Sequence, residues 1–164
     1  MSTHPTSAPS SLPTTESAEA DLRGSLVLLV DDNEQNLELL TAYVEELGCR
    51  LALARDGVEA MDMVTKEPPD LILLDVMMPR MSGFQVCTKL KGTPAYRDIP
   101  IVMVTALNEV NDVERAVDSG ADDFLTKPVN KLELLTRVRS LLRVRHLKHR
   151  LDRTLDELRR VRGA

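Results

Sequence analysis

Leu26-Val27-Leu28-Leu29-Val30 is apolar at every position, and that run constrains the chain more than any other feature. A strand with one wet face alternates apolar and polar residues, whereas a strand apolar throughout is covered on both faces. The pattern returns at Leu51-Ala52-Leu53-Ala54, Leu71-Ile72-Leu73-Leu74 and Ile101-Val102-Met103-Val104, with Asp123-Phe124-Leu125 as a short fifth strand. Between the strands, apolar residues recur at helical spacing. Leu37, Leu40, Val44 and Leu47 run up to Gly48, and Ala60, Met61 and Val64 stop before Pro68-Pro69. Phe84 to Leu90 and Val110 to Val117 follow, the latter ended by Gly120, and a long helix begins near Asn130. Leu132, Leu135, Val138 and Leu142 are expected to lay that helix on the sheet. Five alternations of such strands with helices require helices on both faces of a parallel sheet. The expected fold is a doubly wound α/β domain with a five-stranded parallel sheet and five helices, the last extended.

Composition divides the chain into three parts. Residues 1–24 are rich in Ser, Thr, Pro and Ala and too poor in large apolar groups to offset chain entropy, so a disordered arm is expected. Residues 25–142 carry twelve basic and twenty acidic side chains, net −8, and residues 143–164 form a basic helical extension. In that extension Val144, Leu147, Leu151, Thr154, Leu158 and Val161 step by 3-4-3-4-3, the spacing of a short coiled-coil seam. No apolar run is long enough to span a membrane, and residues 1–23 hold no apolar block of the kind a secretory leader needs. Cys49 and Cys87 form no CxxC and supply neither a disulfide scaffold nor a zinc site. Four aromatic residues and an acidic body argue against a nucleic-acid surface. A cytoplasmic protein is expected.

The chemistry lies at the strand ends, because doubly wound sheets bind ligands outside the carboxyl ends of their strands. Strand one ends in Asp31-Asp32, strand three in Asp75, strand four in Thr105 and strand five in Lys127-Pro128. Each has a plain structural role available; Asp32, for instance, qualifies as an N-cap for the first helix. Together they are three carboxylates, a hydroxyl and an ammonium on one rim. Clustered carboxylates repel unless a cation lies between them, and hard oxygen ligands suit Mg²⁺. Lys127 and Thr105 are then placed to hold the oxygens of a phosphoryl group.

With Asp31-Asp32, Leu73-Leu74-Asp75-Val76-Met77-Met78-Pro79, Met81-Ser82-Gly83, Thr105-Ala106 and Gly120 through Pro128 in hand, residues 25–142 resemble the receiver domain of two-component response regulators. The resemblance implies a flavodoxin-like sheet of order 2-1-3-4-5. It also implies that Asp75 accepts a phosphoryl group from a sensor histidine kinase or a histidine phosphotransfer protein. Asp32, Asp75 and the Met77 backbone carbonyl would hold Mg²⁺ directly, and Asp31 through water. Lys127 would contact the phosphoryl group, Thr105 would bond it on activation, and Phe124 would be the switch aromatic. Such a module signals rather than turning over a substrate.

Met77 and Leu107 are apolar where receivers often place polar groups near the attacking water, which points to a long-lived phosphoryl state. Asp122, Asp123, Glu133 and Arg137 match the dimer face of the winged-helix branch, although Val113 replaces a basic residue usual there. Residues 139–158 resemble the connector after receivers of diguanylate-cyclase regulators. The residues beyond 142 are too few for a cyclase or DNA-binding domain, so a stand-alone receiver is expected, with a receiver portion of a larger regulator as the alternative. It would act through a downstream protein target or a homodimer, using Val144, Leu147, Leu151 and Leu158. An aspartate-nucleophile phosphohydrolase of the haloacid dehalogenase type needs a second acid two residues after Asp75, where Met77 stands.

Overall fold

A computed structural model describes residues 22–106 and 110–163, with side chains described outside 107–113. The arm through Asp21, Leu107 and the side chain of Val113 therefore lie outside the described residues. Five strands, β1 (Leu26–Val30), β2 (Arg50–Ala54), β3 (Leu71–Asp75), β4 (Ile101–Thr105) and β5 (Asp123–Thr126), form one parallel sheet of order β2-β1-β3-β4-β5. Between and after them come α1 (Glu34–Glu45), α2 (Gly57–Lys66), α3 (Gly83–Lys91), α4 (Val110–Asp118) and α5 (Lys131–Arg162).

The period of two in a strand explains why continuous apolar runs were needed. Leu28, Val30, Ile72, Leu74, Ile101 and Met103 face one way and meet Ala60, Val64, Val86 and Leu90 from α2 and α3. Val27, Leu29, Leu71, Leu73, Val102 and Val104 face the other way and meet Leu37, Leu40 and Val44 of α1 and Leu134, Val138 and Leu142 of α5. Each helix start is fixed by a side chain that satisfies an otherwise unpaired N–H. Asn33 caps α1, Asp56 caps α2, Ser82 with Gln85 makes a capping box on α3, and Asn130 caps α5. Asp32 is thus not the cap of α1. Gly120, at φ +88, makes the left-handed turn that leads from α4 toward β5.

Two sequence expectations need correction. The sheet-covering face of α5 runs through Leu134, Val138 and Leu142, with Leu135 half-buried, while Leu132 is 76% exposed. Leucines at 132, 134 and 135 make the phase of the first turn ambiguous, and packing on β3 and β4 selects Leu134. Leu22, assigned by composition to the arm, is buried beside Leu47 and Val27.

The end of the fold opposite the strand tips is closed by Asp70. Its Oδ2 accepts from the Leu26 N–H at 2.8 Å, and its Oδ1 accepts from Arg145 Nε at 3.3 Å. Arg145 also donates to the Asp98 carbonyl at 3.1 Å, and Lys148 lies 3.7 Å from the Asp98 carboxylate. Beyond these ties α5 projects into solvent, with Val144, Leu147, Leu151, Leu155, Leu158 and Val161 all exposed. Among the described residues no helix is long and apolar enough to cross a membrane.

Candidate functional site

The parallel register brings the four strand ends to a common rim. Val30 is level with Leu74, Asp75 with Val104, and Thr105 with Thr126. Each chemically active residue is therefore the last in its strand or just beyond it. Carboxylate oxygens of Asp31, Asp32 and Asp75 lie within 4.8 Å of one another. Asp31 is 1% exposed and Asp75 3%, whereas Asp32 opens to solvent.

Lys127 reaches into this group from the β5–α5 loop. Its Nζ donates to Asp75 Oδ1 at 3.2 Å and to Asp31 Oδ2 at 3.4 Å. Its backbone N–H donates to the Thr105 carbonyl at 2.8 Å, which ties the lysine to the end of β4. Asp31 is oriented in turn by the Asn33 N–H, 2.9 Å from Oδ1. Three acids against one ammonium leave the site short of positive charge. Burial and the neighbouring Asp31 carboxylate push the Asp75 carboxyl up to about 6, against the pull of Lys127 and of the Met77 N–H. Burial works against the Lys127 ammonium, but Asp75 and Asp31 outweigh it and raise its pKa. A hard divalent cation would relieve this imbalance, and the donor set, three carboxylates of which Asp32 opens to solvent, fits one.

The backbone around Asp75 is held by its neighbours. The Val76 carbonyl accepts from the Gly83 N–H at 3.0 Å, and a Cβ on Gly83 would fall 2.2 Å from the Asp75 carbonyl oxygen. Only glycine lets α3 start so close to the strand end. Thr105 is buried, and Phe124 is half-buried against the layer of α2 and α3. A crevice of about 210 Å³, lined by Asp31, Leu40, Tyr43, Lys127 and Val129, opens beside the acids between α1 and the start of α5.

This arrangement agrees with what the chain is similar to. The model of the response regulator receiver domain matches residues 27–139. The chain belongs to the receiver family. The response regulator PleD of Caulobacter vibrioides is 46% identical over 133 residues, covering 81% of this chain and 28% of that protein. The response regulator MprA of Mycobacterium tuberculosis is 45% identical over 117 residues, covering 71% of this chain and 50% of that protein. The chain thus spans half or less of the length of these curated relatives. Among solved structures, the signal receiver domain of a signal transduction histidine kinase from Syntrophus aciditrophicus has a TM-score of 0.70 at 39% identity, covering 73% of this chain and 90% of that one. The Vibrio cholerae chemotaxis protein CheY4 has a TM-score of 0.68 at 29% identity, covering 72% and 98%.

Within this receiver, the expected residues fall into two groups. Asp31, Asp32, Asp75 and Lys127 meet at one site, with Thr105 and Met77 on its border. Of the four charged residues of the expected dimer face, Asp123, Glu133 and Arg137 form one cluster within the chain. Arg137 Nη1 donates to both Asp123 oxygens, at 2.7 and 2.6 Å, and Nη2 to Glu133 at 3.2 Å, all within one chain. Asp122 turns away from them: its Oδ2 accepts from the Ile101 N–H and from Lys91 Nζ, both at 2.8 Å. It closes the start of β4. The ties of Asp70 to Leu26 and Arg145 had no signal in local spacing, because they join residues from three distant parts of the chain. Leu155 joins the exposed apolar face of the extension although it falls one position outside the heptad seam.

Proposed function

We propose that this receiver takes a phosphoryl group on Asp75 from the phosphohistidine of a sensor kinase or phosphotransfer protein and passes the signal on through its extended helix. The observation that carries this reading is the convergence of Asp31, Asp32 and Asp75 on Lys127 in a receiver fold. An Asp75 oxygen attacks phosphorus as the histidine nitrogen leaves with its electron pair. Asp32, Asp75 and the Met77 carbonyl would hold Mg²⁺, with Asp31 acting through water. When bound there, the ion neutralises charge on the acids and on the phosphoryl oxygens. Lys127 holds a phosphoryl oxygen and loses its ties to two bare carboxylates. Thr105 then bonds another oxygen, and Phe124 turns into the space beside it, changing the surface formed by α4 and β5. The crevice beside Asp31 and Lys127 is the approach for the donor.

Output is assigned to the seam of Val144, Leu147, Leu151, Leu158 and Val161. Its apolar groups stand in water, and pairing with a second copy removes them from it at about 0.8 kcal/mol per buried CH₂. Thr154 at an inner position and the shortness of the seam limit the gain, so a reversible dimer in the micromolar range, about −8 kcal/mol, is expected. Glu157 and Arg162 fall at g and e positions that attract across a parallel pair. The match to PleD, which extends over 133 residues, favours a second reading in which this helix leads into a longer regulator such as a diguanylate cyclase. In either case the module works in the cytoplasm as a phosphoacceptor, not as a turnover enzyme.

The test is labelling by a small acyl phosphate with Mg²⁺, read by intact mass. One phosphoryl group is expected on the wild type and none on Asp75→Asn. Undiminished labelling of that variant overturns the assignment. Asp32→Ala should weaken Mg²⁺ binding severely by calorimetry.

A further inference from the structure

The loop from β3 to α3 and the outer side of α3 form a crevice of about 360 Å³, lined by Arg80, Met81, Phe84, Gln85, Thr88 and Lys89. Met81 and Phe84 give it an apolar floor, and both belong to the layer packed on the sheet. Arg80, Gln85, Thr88 and Lys89 stand exposed around that floor. From α4, the Arg115 guanidinium lies over the Phe84 ring, 4.6 Å from its centroid, and adds a third cation beside the crevice. No acid lines it. Among the described residues Arg80, Lys89 and Arg115 form no ion pair. The capping box commits the Gln85 oxygen to the Ser82 N–H at 2.9 Å and leaves the amide NH₂ to donate. The crevice therefore offers cations and a hydrogen-bond donor over an apolar base.

Its rim is built rigidly. Arg80 stands at φ +68, and the Met81 N–H donates to the Pro79 carbonyl across it at 2.8 Å. This is a three-residue turn that is strained for a residue with a side chain and holds only where its surroundings enforce it. Met81 is pressed against α2, where a Cβ added to Gly57 would fall 2.9 Å from the Met81 Cβ. A rim that is already ordered loses little freedom when a ligand settles on it.

We propose that this crevice is a docking site for an acidic segment of a partner protein. Carboxylates of that segment pair with Arg80, Lys89 and Arg115, and one of its apolar side chains rests on Met81 and Phe84. Charge selects this occupant. Residues 25–142 carry net −8, so the crevice is a small positive island on an acidic body. A long polyanion such as nucleic acid would meet the repulsion of that whole body, whereas a short segment with a few carboxylates engages the island alone. The thioether of Met81 suits the floor to side chains of differing shape. This surface is separate from the acidic site and from the extension of α5, and the inference goes beyond the phosphoacceptor reading without depending on it.

The test titrates the unphosphorylated full chain into a short fluorescein-labelled peptide with one Leu flanked by Glu and Asp, read by anisotropy. One control peptide has Gln and Asn in place of the acids, and another has Ser in place of Leu. The acidic Leu peptide is expected to bind with an affinity that falls as salt rises, and each control to bind several-fold more weakly. Arg80→Glu and Lys89→Glu should each weaken binding several-fold and together abolish it. Arg80→Gly, which removes charge and strain at once, should weaken binding without lowering the melting temperature. Arg159→Glu with Arg160→Glu, on the basic extension, should leave it unchanged. Absence of binding by the acidic peptide, equal binding by the amide control, or a loss that follows the extension's arginines instead of Arg80 and Lys89 overturns the proposal. Tighter binding of a short single-stranded DNA through Arg80 and Lys89 overturns the acidic protein as occupant. None of these outcomes bears on Asp75, whose labelling is a separate measurement.

Discussion

Over its first part α5 turns Leu134, Val138 and Leu142 toward the sheet and removes them from water; over its last part it carries Val144, Leu147, Leu151, Leu158 and Val161 at closely related spacing and leaves them exposed. The charges differ as well, since residues 25–142 carry net −8 and residues 143–162 carry eight basic side chains against three acidic. Periodicity therefore specifies an apolar face but not what covers it. In the first part the cover is the chain's own sheet. In the second no described residue covers it, and in the reading proposed above a second copy of the chain does.

The sharpest way to break this division is to cut along it. Removal of residues 143–164 should leave phosphoryl labelling of Asp75 intact and make the protein monomeric by sedimentation, at concentrations where the full chain pairs. A truncated chain that no longer accepts label would show that the two parts are one functional unit. Next in size is a pair of matched substitutions. Leu134→Ala removes a fully buried side chain and should cost about 2–5 kcal/mol in urea unfolding. Leu151→Ala should leave monomer stability within about 0.5 kcal/mol while weakening self-association about tenfold or more. Equal destabilisation by both would mean that the exposed face is covered within the monomer.

A smaller effect concerns only the body. Folded Asp75 titrates near 6 against 3.8 for an ordinary aspartate, so between those values the folded state holds the proton more tightly than the unfolded state. Stability in a chelator should therefore fall as pH rises through this window and level off above it, with a slope no steeper than about 1.4 kcal/mol per pH unit. The difference between wild type and Asp75→Asn in thermal melts isolates this contribution from the other carboxylates. Mg²⁺ should cancel or reverse the trend, because it binds the ionised form. The smallest effect lies at the junction: Arg145→Ala should cost about 1 kcal/mol and increase amide exchange in the extension more than in β3.

Much of the fold was legible because the strands are short and apolar throughout, a pattern that a doubly wound sheet satisfies and a one-sided sheet does not. The site was legible because each of its groups ends a strand, so that finding the strands located Asp31, Asp75, Thr105 and Lys127. What could not be read was phase and long-range pairing. Leu132, Leu134 and Leu135 are chemically alike, and only the sheet decides which is buried. Asp122 looks like a surface acid, yet its partners, Lys91 and the Ile101 N–H, come from a helix and a strand some twenty to thirty residues earlier. Leu22 was hidden by the composition of the residues before it.

Asp70 has a mechanical consequence. Its two oxygens join the first residue of β1 to Arg145, so the outgoing helix takes its bearing from the centre of the sheet and not from an edge loop. With Asp98 taking a second grip on Arg145, the exit of α5 is tied to the domain at two points. In the dimer proposed above, these ties would link each acidic site's own sheet directly to the root of the paired helix.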